Sequence, residues 1–431
     1  MRDFAVSDDP RVQAQLDRLG ALSLPQGRFG LETIRELLAR LGDPQTRLPP
    51  AFHVAGTNGK GSVCAFLRAM LEAGGLAVHV AAKPHLVRYN ERIRLAGKLV
   101  SDDMLADLLA EVLDVGEDLG PSFFEVTTAA TFLAFARVTA DVCVIEVGLG
   151  GRFDATNVLE RPAACGIASL GMDHEAFLLR PEEGTPSDPI ARIAFEKAGI
   201  VHPGSPLVTQ GYPLAAELEI ERAALVAGAP LHMRGKDWHA TAGDALEYRD
   251  RHGSLTLPLP NLPGAHQADN AALAVAMLRH QDFVAVSPQA MARGIREACW
   301  PARLQRLRSG PLADLAGKRD VWLDGGHNPD AGQAIARHFA GRRMHLVVGM
   351  LANKAPGAIV EPLRDAARSV QAVPVPSHDS HPAEAFGPEA RARADVARAL
   401  SALPDDGIPV LIAGSLYLAG EVLEANDEIP N

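Results

Sequence analysis

A glycine-rich segment that holds one lysine, GTNGKGS (56–62), gives the clearest chemical signal in the sequence. It lies between the apolar run AFHVA and a stretch in which apolar residues recur at helical spacing. A turn of this kind presents backbone N–H groups at a helix N-terminus, where these groups and the helix dipole favour a phosphate. Lys60 adds a positive charge, and the hydroxyl of Thr57 or Ser62 can face Mg²⁺. We interpret the segment as a nucleotide-phosphate site rather than as a plain glycine-rich turn.

The spacing of this segment differs from the strict phosphate-loop pattern, Gly-x-x-x-x-Gly-Lys-Ser/Thr. Lys60 is followed by Gly61, so the hydroxyl arrives one residue late, at Ser62. The difference leaves open which oxygen atoms would surround a metal ion beside the loop.

An acidic residue, Glu146, ends the apolar run DVCVIE. A carboxylate in such a place is costly to bury unless it is paired or bound to a metal. Ligand sites of α/β proteins form at the carboxyl ends of parallel strands, so we predict that Glu146 binds Mg²⁺. The alternative is an exposed glutamate at a strand end. His174 and Lys197 give no such signal by themselves, because a lone histidine is more often structural and a helix lysine is ordinary.

The second half of the chain shows the same strand-to-turn pattern. The segment LDGGHNP places Asp324 and His327 directly after an apolar run, again at the carboxyl end of a predicted strand. Arg303 could reach a phosphate, and Asn270 begins a helical stretch, where it could serve as the N-cap. The alternatives are a capped turn at 324–328 and a solvated arginine at 303.

The elements that must position these residues are short apolar runs alternating with amphipathic stretches. Residues 60–73 predict a helix that Gly74 and Gly75 end, and strands are predicted at AFHVAG, LAVHVAA, DVCVIEVG, ACGIASLG and PLVTQG. This βαβ series predicts a mostly parallel sheet with helices on both faces. A new strand–loop–helix series begins near residue 300, with VWLDGGHNPDAGQAIARHFAG, MHLVVGM, VPVPS and PVLIAGSLYLAGEVL.

The order of these elements predicts an α/β fold with two domains. A P-loop-type, mostly parallel sheet ATPase domain (1–300) would precede a smaller, Rossmann-like α/β domain (301–431). The segment LRPEEGTPSDPI (179–190), rich in proline and acidic residues, is predicted to be a surface loop.

Composition excludes several classes of protein. The chain of 431 residues carries a net charge of −11, which argues against general binding to nucleic acid or to anionic membranes. No apolar run reaches the ~20 residues that a membrane helix needs. Four scattered cysteines without metal-like spacing, and a polar N-terminus without a signal-peptide pattern, predict a reduced, cytoplasmic protein.

Nine sequence blocks occur in the order found in folylpolyglutamate synthase/dihydrofolate synthase, the folate branch of the Mur ligase superfamily. The chain resembles this family from about Gly30 to about Leu418, through GTNGKGS, PHLVRYNERIRL, SFFEVTTAATFLAF, VIEVGLGGRFDATN, DHEAF, FEKAGI, HQADNAALA, PARLQ and LDGGHNP. The resemblance implies an enzyme in which ATP phosphorylates a substrate carboxylate. The amine of L-glutamate then attacks the acyl phosphate, which gives an amide, ADP and phosphate.

The same resemblance implies a role for each site residue. Lys60, His174 and Lys197 would be catalytic, and two Mg²⁺ ions would be held by Glu146, His174 and a carbamylated Lys197. The ATP contacts would be Gly56, Thr57, Asn58, Gly59, Lys60, Gly61, Ser62, Asn270, Arg303, Asp324 and His327. The pterin end of the substrate would lie near Gly30, Leu31, Glu32, Phe123, Phe124 and Asp154.

One position departs from the family pattern in a way that matters chemically. Lys83 stands where the family has a serine whose hydroxyl helps to hold the first Mg²⁺. An ammonium group cannot ligate a metal, so either another oxygen substitutes or Lys83 contacts phosphate directly. The loop at 179–190 is also longer than in the family and could alter access to the second metal.

The implied substrates are L-glutamate and either 7,8-dihydropteroate or a tetrahydrofolate, used by a monomer. Polyglutamylation alone, without dihydrofolate synthesis, is one alternative. A muramyl-peptide ligase is a second, although only about fifty residues precede the loop, fewer than a typical domain has. A non-catalytic nucleotide or folate binder, suggested by Lys83, is a third.

Overall fold

In the computed structural model, which describes residues 6–22 and 30–431, the chain divides into two units. The first unit comprises the described residues up to Pro84 together with Arg88–Asn261 and Ala268–Ala298. The second comprises His85–Val87, Leu262–Gln267 and Cys299–Asn431. Among the described residues, no helix is both long and apolar enough to cross a membrane.

An eight-stranded sheet forms the centre of the first unit, as far as the described residues go. Its strands are β1 (Ala51–Ala55), β2 (Val78–Ala81), β3 (Ile93–Leu95), β4 (Lys98–Leu99), β5 (Val142–Glu146), β6 (Ala164–Ile167), β7 (Leu207–Thr209) and β8 (Leu231–Met233). Their spatial order is β4-β3-β2-β5-β1-β6-β7-β8. In this spatial order, the strands β2-β5-β1-β6-β7-β8 all pair in parallel with their neighbours, and β3 and β4 add an antiparallel edge next to β2. The predicted, mostly parallel sheet is therefore confirmed.

Helices cover both faces of this sheet. They are α1 (Pro10–Ala21), α2 (Glu32–Arg40), α3 (Lys60–Ala73), α4 (Asp102–Gly116), α5 (Phe123–Arg137), α6 (Glu175–Leu178), α7 (Pro189–Ala198), α8 (Leu214–Ala227), α9 (His266–Arg279) and α10 (Pro288–Glu297). Cys165 and Ile167 of β6 pack in one apolar cluster with α7 and α8, whereas Gly166 between them lies against Met277 of α9. Because side chains alternate between the faces along a strand, α9 lies on the face opposite to α7 and α8.

Local sequence signals explain where two helices next to the site begin. Ser122 Oγ accepts from the Glu125 N–H, and the Glu125 carboxylate accepts from the Ser122 N–H, so a capping box starts α5. Asp188 caps α7 by accepting from the Ala191 N–H, with Pro189 in the first helical position, where proline is favoured.

The first unit also contains a small antiparallel sheet that the sequence patterns above did not predict. Its strands are β9 (His239–Ala242), β10 (Leu246–Asp250) and β11 (Gly253–Leu257), in the order β11-β10-β9. Leu246 and Tyr248 are buried while the residues between and after them are more exposed, which is the alternation of a half-buried strand. That alternation is present in the sequence and was the signal that could have revealed the sheet.

The second unit is built on a six-stranded sheet. Its strands are β12 (Gln305–Arg306), β13 (Val321–Asp324), β14 (Met344–Val348), β15 (Ala367–Ala372), β16 (Arg391–Ala392) and β17 (Val410–Ala413), and its helices are α11 (Pro311–Leu315), α12 (Pro329–His338), α13 (Gly357–Leu363), α14 (Val396–Ser401) and α15 (Leu416–Ala425). The order is β12-β13-β17-β14-β15-β16, and every pair except β12 with β13 is parallel. Val347 and Ile412 belong to one apolar cluster and Leu346 and Leu411 to another, so this sheet is also covered on both faces.

One predicted strand of the second unit is wrong. The segment VPVPS (373–377) follows the strand β15 (Ala367–Ala372) rather than forming one. Pro374 and Pro376 have no N–H group to donate to a neighbouring strand, so the ladder ends before them.

Candidate functional site

The glycine-rich loop joins β1 to α3 with a backbone that only glycine adopts easily. Gly56 has φ 150° and Gly59 has φ 85°. A Cβ at Gly56 would lie 2.9 Å from the Cβ of Ala168, and one at Gly59 would lie 2.5 Å from Oδ1 of Asn270. The glycines therefore let the loop lie directly against β6 and α9.

Hydrogen bonds fix this loop to the segment that follows β6. The Thr57 N–H donates to the Ser169 carbonyl at 2.7 Å, and the Thr57 hydroxyl donates to the Gly171 carbonyl at 3.0 Å. The Ser169 hydroxyl donates to the Asn58 carbonyl at 3.1 Å. Gly59, the N-cap of α3, has no side chain that could bond to the first N–H groups of the helix, so these groups can face a phosphate.

Two lysine ammonium groups meet at one carbonyl oxygen of the loop. Lys60 Nζ donates to the Gly56 carbonyl at 3.0 Å and to the Thr57 carbonyl at 3.2 Å, and Lys197 Nζ donates to the Gly56 carbonyl at 2.8 Å. Lys197 is only 4 % exposed, and burial together with the charge of Lys60 lowers its pKa to about 7. Lys197 is thus a buried, perturbed amine and not an ordinary helix lysine.

Glu146 is buried at the end of β5, next to the loop strand β1. It is 4 % exposed, and its Oε2 accepts from the backbone N–H of Lys83 at 3.0 Å. Glu146 is therefore not the exposed glutamate of the alternative interpretation. Whether Glu146 also binds a metal stays a prediction.

Asp154 organises the turn that follows β5. Its Oδ2 accepts from the N–H groups of Gly148 and Leu149, and its Oδ1 accepts from the N–H and hydroxyl groups of Thr156. Burial alone would raise the pKa of Asp154, but the charge of Lys83 and these bonds hold it below its ordinary value. A carboxylate has about four acceptor positions, so a pterin could bind here only in exchange for one of these bonds.

His174 and its neighbour Asp173 lie at the start of α6. His174 adopts φ 53°, its N–H donates to Asp173 Oδ1 at 2.8 Å, and Nε2 lies 3.8 Å from Asp173 Oδ2. Within residues 6–22 and 30–431, no three His, Cys, Asp or Glu side chains form a group that could hold a metal. That search does not include lysine, so the set of Glu146, His174 and Lys197 as metal ligands stays a prediction.

An ion-pair network ties the 179–190 segment to α7, and sequence reasoning missed it. Arg152 pairs with Glu182 and Glu196, at 2.6 and 2.9 Å, and Arg192 pairs with the same two carboxylates at 3.4 and 2.8 Å. Most residues of 179–190 are exposed, as predicted, but Glu182 anchors the loop to the helix that carries Lys197. Only the four-residue spacing of Arg192 and Glu196 was visible in the sequence.

The residues predicted for the pterin end lie on α2 and α5. Leu31 precedes α2 and is buried, Gly30 is partly buried, and Glu32 is exposed at the first position of the helix. Phe123 and Phe124 begin α5 with ring centroids 5.5 Å apart, and Phe124 is 39 % exposed. Phe123 also contacts the ring of Tyr89 edge to face and lies 5.3 Å from the guanidinium of Arg92. Exposed aromatic surface of this kind can stack against a flat heterocycle.

The predicted residues of the second unit meet at the end of β13. Asp324 is buried there, accepting from the N–H groups of Leu304 and Gly326 at 2.8 and 2.7 Å. His327 Nδ1 lies 3.0 Å from the Gly325 carbonyl, and a Cβ at Gly325 would lie 3.1 Å from Nη1 of Arg303. Asp324, His327 and Arg303 thus surround one turn.

The alternative interpretation of Asn270 as an N-cap is wrong. The helix α9 begins at His266, so Asn270 lies in its second turn and directs its amide at Gly59 of the loop. The cap assignment failed because the helix starts four residues earlier than the apolar pattern indicates.

Known proteins resemble the chain over nearly its whole length. No family model matches it. The dihydrofolate synthase/folylpolyglutamate synthase of Bacillus subtilis is 33 % identical over 425 residues, covering 91 % of this chain and 94 % of the relative. A solved structure of Escherichia coli FolC in complex with DHPP and ADP superimposes with a TM-score of 0.85 at 30 % identity, covering 97 % of this chain and 98 % of that one. A bifunctional folylpolyglutamate synthase/dihydrofolate synthase with Mn, AMPPNP and L-glutamate bound gives 0.83 at 30 % identity, with 96 % and 97 % covered.

Proposed function

This chain belongs to the dihydrofolate synthase/folylpolyglutamate synthase family of ATP-dependent ligases, and from that premise we propose which reaction its residues carry out. The enzyme activates the carboxylate of a pteroate or folate as an acyl phosphate and joins it to L-glutamate. With 7,8-dihydropteroate the product is dihydrofolate, and with a tetrahydrofolate it is a polyglutamate. Membership of the folate branch sets aside the muramyl-peptide ligase alternative.

One observation carries the proposal: the N-terminus of α3, with glycine as its N-cap, directly follows a glycine loop and begins with Lys60. Backbone N–H groups and a lysine at this point suit the phosphates of ATP. Lys60 Nζ bonds to loop carbonyls, and a bound phosphate would offer it a stronger, charge-assisted acceptor.

Two bond exchanges make up the proposed reaction. A substrate carboxylate oxygen attacks the terminal phosphorus of ATP, and the bond from that phosphorus to ADP breaks. The amine of glutamate then attacks the acyl carbon, loses a proton, and displaces phosphate. Phosphoryl transfer depends mainly on positioning and charge neutralisation, which the loop amides and Lys60 supply.

The buried residues fit a divalent ion that arrives with the nucleotide. Mg²⁺ usually binds one or two carboxylates together with substrate phosphates, and Glu146 offers a buried carboxylate on the strand next to the loop. Glu146 would hold this ion, which neutralises phosphate charge. We further propose a second ion held by His174 and by a carbamate on Lys197, whose lowered pKa favours the neutral amine that attacks carbon dioxide and then loses a proton.

The remaining contacts are proposed from the same family. Asn270 and, in the second unit, Arg303, Asp324 and His327 would contact ATP. Residues 301–431 would form a ligase domain, and residues 1–300 the nucleotide-binding domain. Phe123 and Phe124 offer aromatic surface for the pterin, near which Gly30, Leu31, Glu32 and Asp154 would lie. A monomer in the cytoplasm stays a prediction.

A reconstitution assay tests this function. Purified protein should release ADP only when ATP, Mg²⁺, L-glutamate and a pteroate or folate are all present. Comparing dihydropteroate with tetrahydrofolate under saturating glutamate tells the two reactions apart. Release of ADP that does not depend on the pterin substrate would contradict the proposal.

A further inference from the structure

The ammonium group of Lys83 is buried in the first unit without a hydrogen-bond acceptor. Its side chain is 9 % exposed, and Nζ makes no hydrogen bond to any residue that the structure describes. Asp154 Oδ1 is 3.9 Å away, which is too far for a hydrogen bond. Burying three donors without an acceptor is costly, so this group is suited to receive an acceptor from a ligand.

The described surroundings of Lys83 hold the ammonium in place but give it no hydrogen-bond acceptor. The acceptor positions of Asp154 are taken by Gly148, Leu149 and Thr156. The backbone N–H of Lys83 is fixed by Glu146. A Cβ at Gly148 would lie 3.2 Å from Cδ and 3.5 Å from Nζ of Lys83, so a glycine at this position leaves room for the lysine.

Lys83 also lies at the carboxyl ends of the parallel strands, where the phosphate loop begins. It follows β2, and Glu146 ends β5, which lies between β2 and the loop strand β1. Burial and then the charge of Glu146 raise the pKa of the Cys64 thiol in α3, and the charge of Lys60 lowers it. Glu146 and Lys60 therefore both lie near Cys64. Burial lowers the pKa of both Lys83 and Lys197, and the charge of Asp154 opposes this shift in both, so Lys83 belongs to the same group of charges.

We propose that Lys83 donates directly to an oxyanion of the ligation reaction. The acceptor is an oxygen of the terminal phosphate of ATP or of the substrate carboxylate that attacks it. This inference rests on the proposed function, and it assigns a direct contact to the position where the family has a serine. An ammonium bonded to an oxyanion makes a strong, charge-assisted hydrogen bond.

Binding measurements on Lys83→Met test the contact without requiring turnover. Affinities of the full chain for ADP, AMPPNP and dihydropteroate are measured by calorimetry with Mg²⁺ present. We expect the affinity for either AMPPNP or dihydropteroate to fall roughly tenfold to hundredfold, and the affinity for ADP to stay unchanged. Lys98→Met is the matched control, because Lys98 is exposed on β4, and it should bind all three ligands as the unaltered protein does.

The pattern of losses identifies the acceptor. A loss for AMPPNP but not for ADP assigns the terminal phosphate, and a loss for dihydropteroate alone assigns the carboxylate. Lys83→Gln, which is neutral but polar, serves if the methionine variant fails to fold. Unchanged affinities in a folded neutral variant overturn the inference alone, whereas absence of nucleotide binding by the unaltered protein overturns the proposed function as well.

Discussion

Lys197 Nζ donates a 2.8 Å hydrogen bond to the carbonyl oxygen of Gly56, a residue 141 positions away in the chain. Lys60 Nζ donates to the same oxygen at 3.0 Å. Burial, and then the charge of Lys60, lower the pKa of Lys197 from 10.5 to about 7. The phosphate loop therefore has a reactive amine at its base, because an amine with this pKa is about half neutral at neutral pH.

Carbamylation of Lys197 is the first prediction. With isotopically labelled bicarbonate, carbon NMR should show a carbamate signal that is missing in Lys197→Gln. Only the neutral amine reacts, so the signal should grow as the pH rises through 7 and then level off. A signal of the same size in both proteins would show that the carbamate forms elsewhere.

The second prediction concerns the loop glycine next to Asn270. Gly59→Ala forces a side chain into φ 85° and within 2.5 Å of Asn270 Oδ1, so the loop must shift. We expect a loss of stability of about 1–2 kcal/mol from the backbone strain. Turnover should fall on the order of a hundredfold, because a displacement of about 1 Å is enough to misplace a reacting group.

Gly228→Ala is the control that separates the effect of backbone strain from the effect of the close approach to Asn270. Gly228 ends α8 with φ 63°, and a Cβ there meets nothing within 4 Å. Chemical denaturation should show a similar loss of stability in both variants, while steady-state kinetics should show the loss of turnover only in Gly59→Ala. Equal turnover in the two variants would rule out a role for the close approach.

Local pattern was enough to predict the loop and the sheet around it. The predicted helix 60–73 coincides with α3 (Lys60–Ala73), and the predicted strand runs overlap β1, β2, β5, β6 and β7. These elements are encoded by neighbours in the chain: glycines at the turn, a 3.6-residue apolar period, and apolar runs buried on both faces.

The chemistry of single residues was harder to predict, because it depends on partners far away in the chain. In the sequence, Lys197 cannot be told from an ordinary helix lysine. It contacts Gly56 because β6 lies beside β1 in the sheet. Asp154 likewise shows its role as a turn anchor only once Gly148 and Leu149 fold back on it. Strand order, which no local pattern contains, decides such contacts.

Acid sensitivity of the first unit is the third prediction. The side chain of His280 is fully buried, its ring is stacked 4.1 Å from that of His232, and Nε2 lies 3.5 Å from Asp250. Burial, and then the charge of His232, lower its pKa to about 3. Between about pH 3 and 6.5 the unfolded chain therefore binds a proton at this position that the folded chain does not, so stability falls as the pH falls below 6.5.

Urea unfolding at pH 6.5 and at pH 5 measures this effect. The unaltered protein should lose about 2 kcal/mol more than His280→Phe over this interval. His239→Phe replaces an exposed histidine and should lose as much as the unaltered protein. If His280→Phe shows the same pH slope as the unaltered protein, the buried histidine is not the source of acid sensitivity.

The last prediction concerns Arg152, which pairs with Glu182 of the 179–190 loop and Glu196 of α7. The side chain of Glu196 is only 8 % exposed. In Arg152→Met its remaining ion-pair partner, among the described residues, is Arg192. We expect the free energy of unfolding to fall by about 2–3 kcal/mol, and turnover to fall because α7 carries Lys197. Arg137→Met breaks a surface pair with Glu111 and should cost less than about 1 kcal/mol without changing turnover. Chemical denaturation and steady-state kinetics on both variants decide the matter, and equal losses of stability would show that the Arg152 network is no stronger than a surface ion pair.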